Sequence, residues 1–255
     1  MVNDMDILTK NFIVVFKTPM EQLGFICANN CFYRQVNDVL QTLTLSRMFN
    51  FGYELKFNIL PLCIPISKAL PSGIMGPIES FEDGQVRYFY RNYTKETPPE
   101  IIQKNMERGM ELVFQDIVPI FLRGVDAKSA YCEMVLAEEK RFGRATLHEP
   151  LFKWLALMGG NYDRAVVHQA AIIASNLGMP LIQESEILDP QMLEKLLRIE
   201  AGDEPYLKEQ KMDLAHIAQH NYSYFDKIIE ENTKKTLTFL KKVNKNPCKY
   251  GSFRY

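Results

Sequence analysis

The hydrophobic pattern of this 255-residue chain changes its period near Thr97, and that change constrains the fold more than any other feature. In the run 53–59, apolar residues alternate strictly with polar residues. In the run 102–121, apolar residues recur at every third or fourth position. A period of two is typical of a half-buried strand, whereas a period near 3.6 is typical of a helix with one buried face. The sequence therefore predicts an α+β protein in which strands precede helices.

The N-terminal region is predicted to be a helix packed on an antiparallel sheet. A helix is expected over residues 4–17, and Pro19 is predicted to break or restart it. The residues at 50–52 form a hairpin-turn signal. Runs rich in strand-forming residues lie at 31–36, 39–47, 53–59 and 86–93. Successive hairpins produce an antiparallel sheet, and we expect the first helix to cover one of its faces.

Residues 61–85 are predicted to be irregular. Prolines at four positions of this segment alternate with three glycines. Such punctuation excludes a helix and permits only short edge-strand pieces. Long irregular segments in compact proteins often carry function.

The C-terminal region, 98–255, is predicted to be entirely helical. A helix-start signal lies at Thr97-Pro98-Pro99-Glu100. It combines a capping residue, prolines suited to a first turn and a capping-box glutamate. Helices are expected over 98–123, 127–141, 149–158, 161–178, 190–200 and, as one long helix, 205–243. The change near Thr97 therefore divides the chain into a 1–97 α+β region and a 98–255 helical region, and it leaves open whether the two pack as one unit.

The N-terminal sequence and the cysteines predict a cytoplasmic protein. The N-terminus has no basic and apolar leader, and no apolar run reaches the roughly 20 residues that span a bilayer. The chain has five cysteines and no CxxC pair, which is typical of reduced thiols. Because 30 Lys and Arg balance 31 Asp and Glu, the chain as a whole does not resemble a polycation that coats nucleic acid. We expect no membrane partner.

One arrangement of residues suggests a metal site. His216 and His220 are four positions apart on a predicted helix, a spacing that lets two imidazoles reach one ion, and Asp213 lies on the same face. The segment between the histidines lacks the glutamate of a zinc-protease helix. All three residues lie opposite the apolar stripe of that helix, so a solvated polar face is the alternative. No catalytic residue and no cofactor is otherwise predicted, because nucleophile elbows and phosphate-binding glycine loops are absent from the sequence.

Two segments suggest contact with nucleic acid. The run 87–93 interleaves arginines with aromatic residues that could hold phosphates and stack bases, namely Arg87, Tyr88, Tyr90 and Arg91. After Glu231, the tail carries basic residues and no acidic one, including Lys234, Lys235, Lys241 and Lys242. The alternatives are an ordinary strand rich in tyrosine and a helix whose C-terminal lysines complement its dipole.

The first 95 residues resemble a known bacterial family. The resemblance rests on short motifs spread along the region: Phe16-Lys17, Leu23-Gly24-Phe25, Phe32-Tyr33-Arg34, Val39, Gln41, Leu45 and Phe57-Asn58. Together they look like the domain of unknown function (DUF) 4304 family. The resemblance implies an initial helix, a Gly-Phe turn, an antiparallel strand series and a bacterial origin. It supplies no catalytic residues.

A second resemblance lies in the helical region. One segment is similar to the turn between the paired helices of a tetratricopeptide repeat. It reads Gly160-Asn161-Tyr162-Asp163-Arg164-Ala165 and is followed by Ala170. No copy follows about 34 residues away, so the resemblance implies one helical hairpin and no solenoid.

These features favour a non-enzymatic module that binds another protein. The alternatives are a metal-dependent enzyme that uses Asp213, His216 and His220, and contact with nucleic acid through the 87–93 strand and the lysine-rich tail.

Overall fold

The computed structural model describes residues 5–48, 52–80, 86–94, 96–143, 149–179, 189–198 and 205–250. They form an N-terminal helix, an antiparallel sheet and then a mostly helical region, which confirms the predicted α+β class. No helix in these ranges is both long enough and apolar enough to cross a bilayer.

The N-terminal part contains one helix, α1, over Met5–Gln22. Its strands are β1 (Ile26–Ala28), β2 (Cys31–Val36), β3 (Val39–Met48), β4 (Gly52–Pro61), β5 (Ile78–Ser80), β6 (Val86–Tyr88) and β7 (Tyr90–Asn92). The described residues form a five-stranded sheet in the order β1-β2-β3-β4-β7, and β5 pairs with β6 separately. Strands β3 and β4 pair from Val39↔Pro61 to Met48↔Gly52, as the alternation predicts. The predicted turn residues 50 and 51 lie outside the described residues.

Helix α1 continues through Pro19, so the predicted break there is wrong. Its buried face explains why. Phe12, Phe16 and Met20 are all fully buried, and the rings of Phe12 and Phe32 lie 5.1 Å apart. Burying three such side chains contributes about 1.5–3 kcal/mol each, which outweighs the roughly 3 kcal/mol that an internal proline costs.

The predicted strand over 86–93 is also wrong, because this segment forms two short strands in different sheets. Strand β6 pairs with β5, and β7 pairs with β4. Phe89 lies between them and is fully buried. Its N–H donates to the carbonyl of Pro77 at 3.0 Å, and its ring meets that of Tyr53 edge to face. Burial of this ring therefore determines where the backbone passes from one sheet to the other.

The proline-rich segment folds back along β4. The N–H of Phe57 donates to the carbonyl of Met75 at 2.6 Å, which forms an isolated bridge outside the main strands. Gly73 permits this approach, because a Cβ at that position would overlap the backbone of Lys56 and Phe57. Residues 73–75 are therefore fixed against the sheet by an isolated bridge, and the segment becomes a regular strand only at β5.

The remaining elements of the described chain are helices. They are α2 (Pro99–Leu112), a π-helical turn (Val113–Ile117), α3 (Val118–Arg123), α4 (Ala127–Phe142), α5 (Pro150–Met158), α6 (Tyr162–Asn176), α7 (Pro190–Arg198), α8 (Pro205–Ala218), α9 (Ser223–Lys245) and a 3-10 turn (Pro247–Lys249). The predicted helix over 98–123 thus contains a π-helical turn. The hydroxyl of Thr97 accepts the N–H of Thr94 and does not cap α2.

The predicted single helix over 205–243 is in fact two helices. α8 ends at Ala218 and α9 begins at Ser223. His220 has a φ of 57°, a left-handed conformation that ends a helix, and the N–H of Asn221 donates to the carbonyl of His216. The predicted apolar stripe is real, but a turn interrupts it.

Helices α5 and α6 form a helical hairpin. Gly160 adopts a φ of 72° between them, and Ala165 is fully buried where the two helices pack together.

One buried cluster includes residues from both 1–97 and 98–255. On one sheet face, the rings of Phe57 and Phe121 meet edge to face at 5.9 Å. The side-chain amide of Gln41 on that face donates to the carbonyls of Phe121 and Gly124. Elsewhere, the hydroxyl of Tyr33 donates to Asn244 of α9 at 2.6 Å. The contacts of Phe57 and Gln41 hold α3 against the sheet, and the contact of Tyr33 holds α9 beside it.

Candidate binding groove beside the last helix

A groove with a volume of about 610 Å³ lies between α9 and the proline-rich segment. One wall is residues 65–67, which we call the ridge. The other wall is one face of α9, on which residues recur at the helical spacing. The groove is lined by Pro65, Ile66, Ser67, Glu231, Lys234, Lys235, Thr238, Phe239 and Lys242.

The charged side chains of this α9 groove are mainly positive. Lys234, Lys235 and Lys242 are exposed, and Glu231 is the one carboxylate among the lining residues. Glu231 lies 3.9 Å from the ammonium group of Lys227, at the outer limit of an ion pair. Three cations that surround a concave surface favour an anionic ligand.

The floor of the α9 groove is apolar. Phe239 and Ile66 are only 4% and 7% exposed, and Pro65 lies beside Ile66. The hydroxyls of Ser67 and Thr238 add polar atoms to the walls. The groove therefore combines a basic rim with an apolar base, which suits a ligand that carries both carboxylates and an apolar side chain.

Thr236 holds the ridge against α9. Its side chain is fully buried, and its Oγ1 accepts the N–H of Ile66 at 3.2 Å and donates to the carbonyl of Ile64 at 2.9 Å. A single hydroxyl thus bonds to the backbone of Ile66 in the ridge and of Ile64 just before the ridge, and it fixes the width of the groove.

A second cavity of about 660 Å³ lies on the other side of the ridge and shares residues 65–67 with the α9 groove. The charged residues of its lining are Lys56, Lys68 and Glu149. Lys56 lies 2.6 Å from Glu54, which is outside the lining and balances its charge. Charge therefore distinguishes the two cavities, and only the α9 groove has a clear excess of cations.

Asp213, the first predicted metal ligand, is already engaged by another residue. Its carboxylate accepts from the ammonium group of Lys153 at 2.9 Å, and the two side chains are only 7% and 3% exposed. A buried ion pair of this kind holds α5 against α8.

The two predicted histidine ligands lie at the turn between α8 and α9. The ring of His216 stacks on that of Tyr224 at 3.8 Å. His220 lies beyond the end of α8, and its Nδ1 is 2.6 Å from the hydroxyl of Tyr222. The structure therefore does not group these histidines with Asp213. In the part of the chain that is described, no cluster of three or more His, Cys, Asp or Glu could hold a metal ion.

The predicted nucleic-acid residues of the 87–93 run are separated. Arg87 and Tyr88 lie on β6, whereas Tyr90 and Arg91 lie on β7. The guanidinium of Arg91 lies 2.9 Å from the carboxylate of Glu79. The interleaved pattern therefore does not form one continuous strand surface.

The predicted tail lysines have different positions. Lys242 lines the α9 groove, whereas Lys241 is exposed and is not among its lining residues. The sequence also did not show the roles of Ile66 and Thr236. A helical wheel of α9 could have grouped the lining lysines, but no sequence pattern links them to the ridge.

The described thiols offer little reactivity near the groove. Burial raises the pKa of the Cys63 thiol to about 12, and burial also raises the pKa of Cys31. No histidine or cysteine is among the residues that line the α9 groove. Its lining is suited to binding by charge and apolar contact.

Comparisons with protein-family models, with curated proteins and with solved structures find no match. The resemblance to the DUF 4304 family therefore stays a prediction. The fold and the site define an α+β protein with a basic, apolar-floored groove.

Proposed function

We propose that this protein is a non-enzymatic binding protein that holds an acidic segment of another protein in the α9 groove. The observation that carries the proposal is the placement of three exposed lysines around the buried ring of Phe239. The lysines would pair with carboxylates, and the floor would accept an apolar side chain. Charge complementarity of this kind speeds association and selects partners.

Two features favour a protein segment over a nucleic acid or a membrane surface. The lining contains one aromatic ring, Phe239, whereas stacking of successive bases uses several aromatic side chains. The lining is concave, whereas insertion into a bilayer needs protruding apolar side chains.

A cytoplasmic location also belongs to this proposal. Cys27, Cys31, Cys63 and Cys132 are all free thiols. Free thiols suit a reducing compartment, where the partner would be another cytoplasmic protein.

Fluorescence anisotropy with labelled acidic peptides tests the proposal on the full chain. We expect saturable binding that weakens as salt is added, because exposed ion pairs are screened. The variant Lys234→Glu/Lys242→Glu should abolish binding. The matched control is Lys241→Glu/Lys245→Glu, which changes the charge equally on the same helix but outside the groove.

The same assay includes single-stranded DNA and phosphatidylserine vesicles as competing ligands. Tighter binding of either one, with the same dependence on the groove lysines, would overturn the proposal. So would a control variant that loses as much peptide binding as the groove variant, or acidic peptides that fail to bind.

A further inference from the structure

The lysines of the α9 groove form two groups along the helix. Lys234 and Lys235 lie toward one end, and Lys242 lies seven or eight residues further on. At a rise of 1.5 Å per residue, these two groups are separated by about 11 Å along the helix axis.

The apolar floor lies between the two groups. Phe239 stands between Lys235 and Lys242 in the helix, and it lines the groove together with Ile66 from the ridge. A ligand that uses both lysine groups must therefore pass over an apolar surface, and it gains most if it places an apolar side chain there.

The spacing of the two lysine groups suits an extended ligand. An extended chain rises about 3.3 Å per residue, so carboxylates four residues apart are separated by about 13 Å. Flexible lysine stems accommodate the difference.

We propose that the α9 groove selects an extended segment with the pattern acidic-x-apolar-x-acidic. In an extended chain, residues i, i+2 and i+4 lie on one side, so both carboxylates and the central apolar residue face the groove together. This inference rests on the proposed function and adds the spacing and conformation of the bound segment. The carboxylates pair with Lys234 or Lys235 at one end and with Lys242 at the other, while the apolar residue contacts Phe239.

Two peptides of equal composition test the spacing, and a third tests the apolar residue. The matched core is Glu-Ala-Leu-Ala-Glu, the scrambled core is Glu-Glu-Ala-Ala-Leu, and a third core replaces Leu with Ser, all in the same Gly-Ser flanks. We expect the matched peptide to bind about tenfold more tightly than either of the others, which corresponds to one lost anchoring contact.

A charge swap tests the pairing. Lys242→Glu should weaken the matched peptide, and a peptide with Lys in place of one terminal Glu should recover binding. Lys241→Glu is the control and should show neither loss nor recovery.

The outcomes distinguish the two proposals. Equal affinity for matched and scrambled peptides would overturn the spacing but leave the acidic-segment proposal intact. Recovery by neither swapped peptide would overturn the assigned pairing. Failure of every acidic peptide to bind would overturn both proposals.

Discussion

Thr236 provides a sharp test of how the α9 groove is built. Thr236→Val keeps the shape of the side chain but removes the hydroxyl that bonds to Ile66 and Ile64. Each hydrogen bond contributes about 1 kcal/mol net, and an unsatisfied buried backbone group costs about 1–3 kcal/mol. We therefore expect the free energy of unfolding to fall by about 2 kcal/mol.

Urea unfolding, followed by tryptophan fluorescence, measures this loss. Trp154 is the one tryptophan of the chain, and its ring meets Phe225 of α9 edge to face at 6.0 Å. Thr238→Val is the control, because its exposed hydroxyl bonds only within the helix, to the carbonyl of Lys234, and we expect a change below about 0.5 kcal/mol.

A second variant separates the hydroxyl from packing. Thr236→Ser keeps the hydroxyl and loses one methyl group, so we expect it to cost only about 1 kcal/mol. The valine variant should also weaken acidic peptides, because the ridge is no longer held at its present distance from α9. A valine variant as stable as the wild type, or a serine variant at least as destabilised as the valine variant, would refute the reasoning.

Three further predictions follow from buried and capping groups. Asp213→Asn should lower the free energy of unfolding by about 3–5 kcal/mol in urea titrations, because it leaves the ammonium group of Lys153 buried without its counter-ion. Hydrogen bonds from Ser129 lower the pKa of Asp126, which caps α4. This cap stabilises the fold above the ordinary aspartate pKa of about 3.9, and the stabilisation is lost as the pH falls through the lower pKa of the folded state. Asp126→Ala should therefore lower the free energy of unfolding by about 1 kcal/mol at pH 7 and leave it unchanged at acid pH, as measured by unfolding at the two pH values. Iodoacetamide at pH 8 should modify exposed Cys132 and spare Cys63 in the folded protein, as measured by mass spectrometry, because burial raises the pKa of Cys63 to about 12.

The hairpin of β3 and β4 could be predicted because its pattern is local. Alternation over 53–59 fixes which side chains share a face, and a shift of one residue would expose all of them. The interruption at His220 could not be predicted from the apolar stripe, since the stripe continues across the turn from Leu214 to Phe225. Periodicity reports which face is buried, and it does not report where the backbone reverses.

The candidate site depended on contacts between distant parts of the chain. Thr236 and Ile66 are 170 residues apart, and Asp213 and Lys153 are 60 apart. The sequence placed Asp213 on a polar helix face, but it could not show that a lysine from another helix lies opposite. The charge of the tail was visible in the sequence, whereas the wall that turns Lys234, Lys235 and Lys242 into a groove was not.

The ridge has one more consequence, because the same three residues bound two cavities. Any ligand that moves the ridge toward one cavity enlarges the other, and the free energy of that displacement enters both binding equilibria. Thermodynamic linkage would make the effect reciprocal. An occupant of the second cavity that moved the ridge would change the affinity of the α9 groove by the same factor by which an acidic segment would change affinity in the second cavity. The hydroxyl of Thr236 opposes that displacement, so it also determines how strongly the two cavities influence each other.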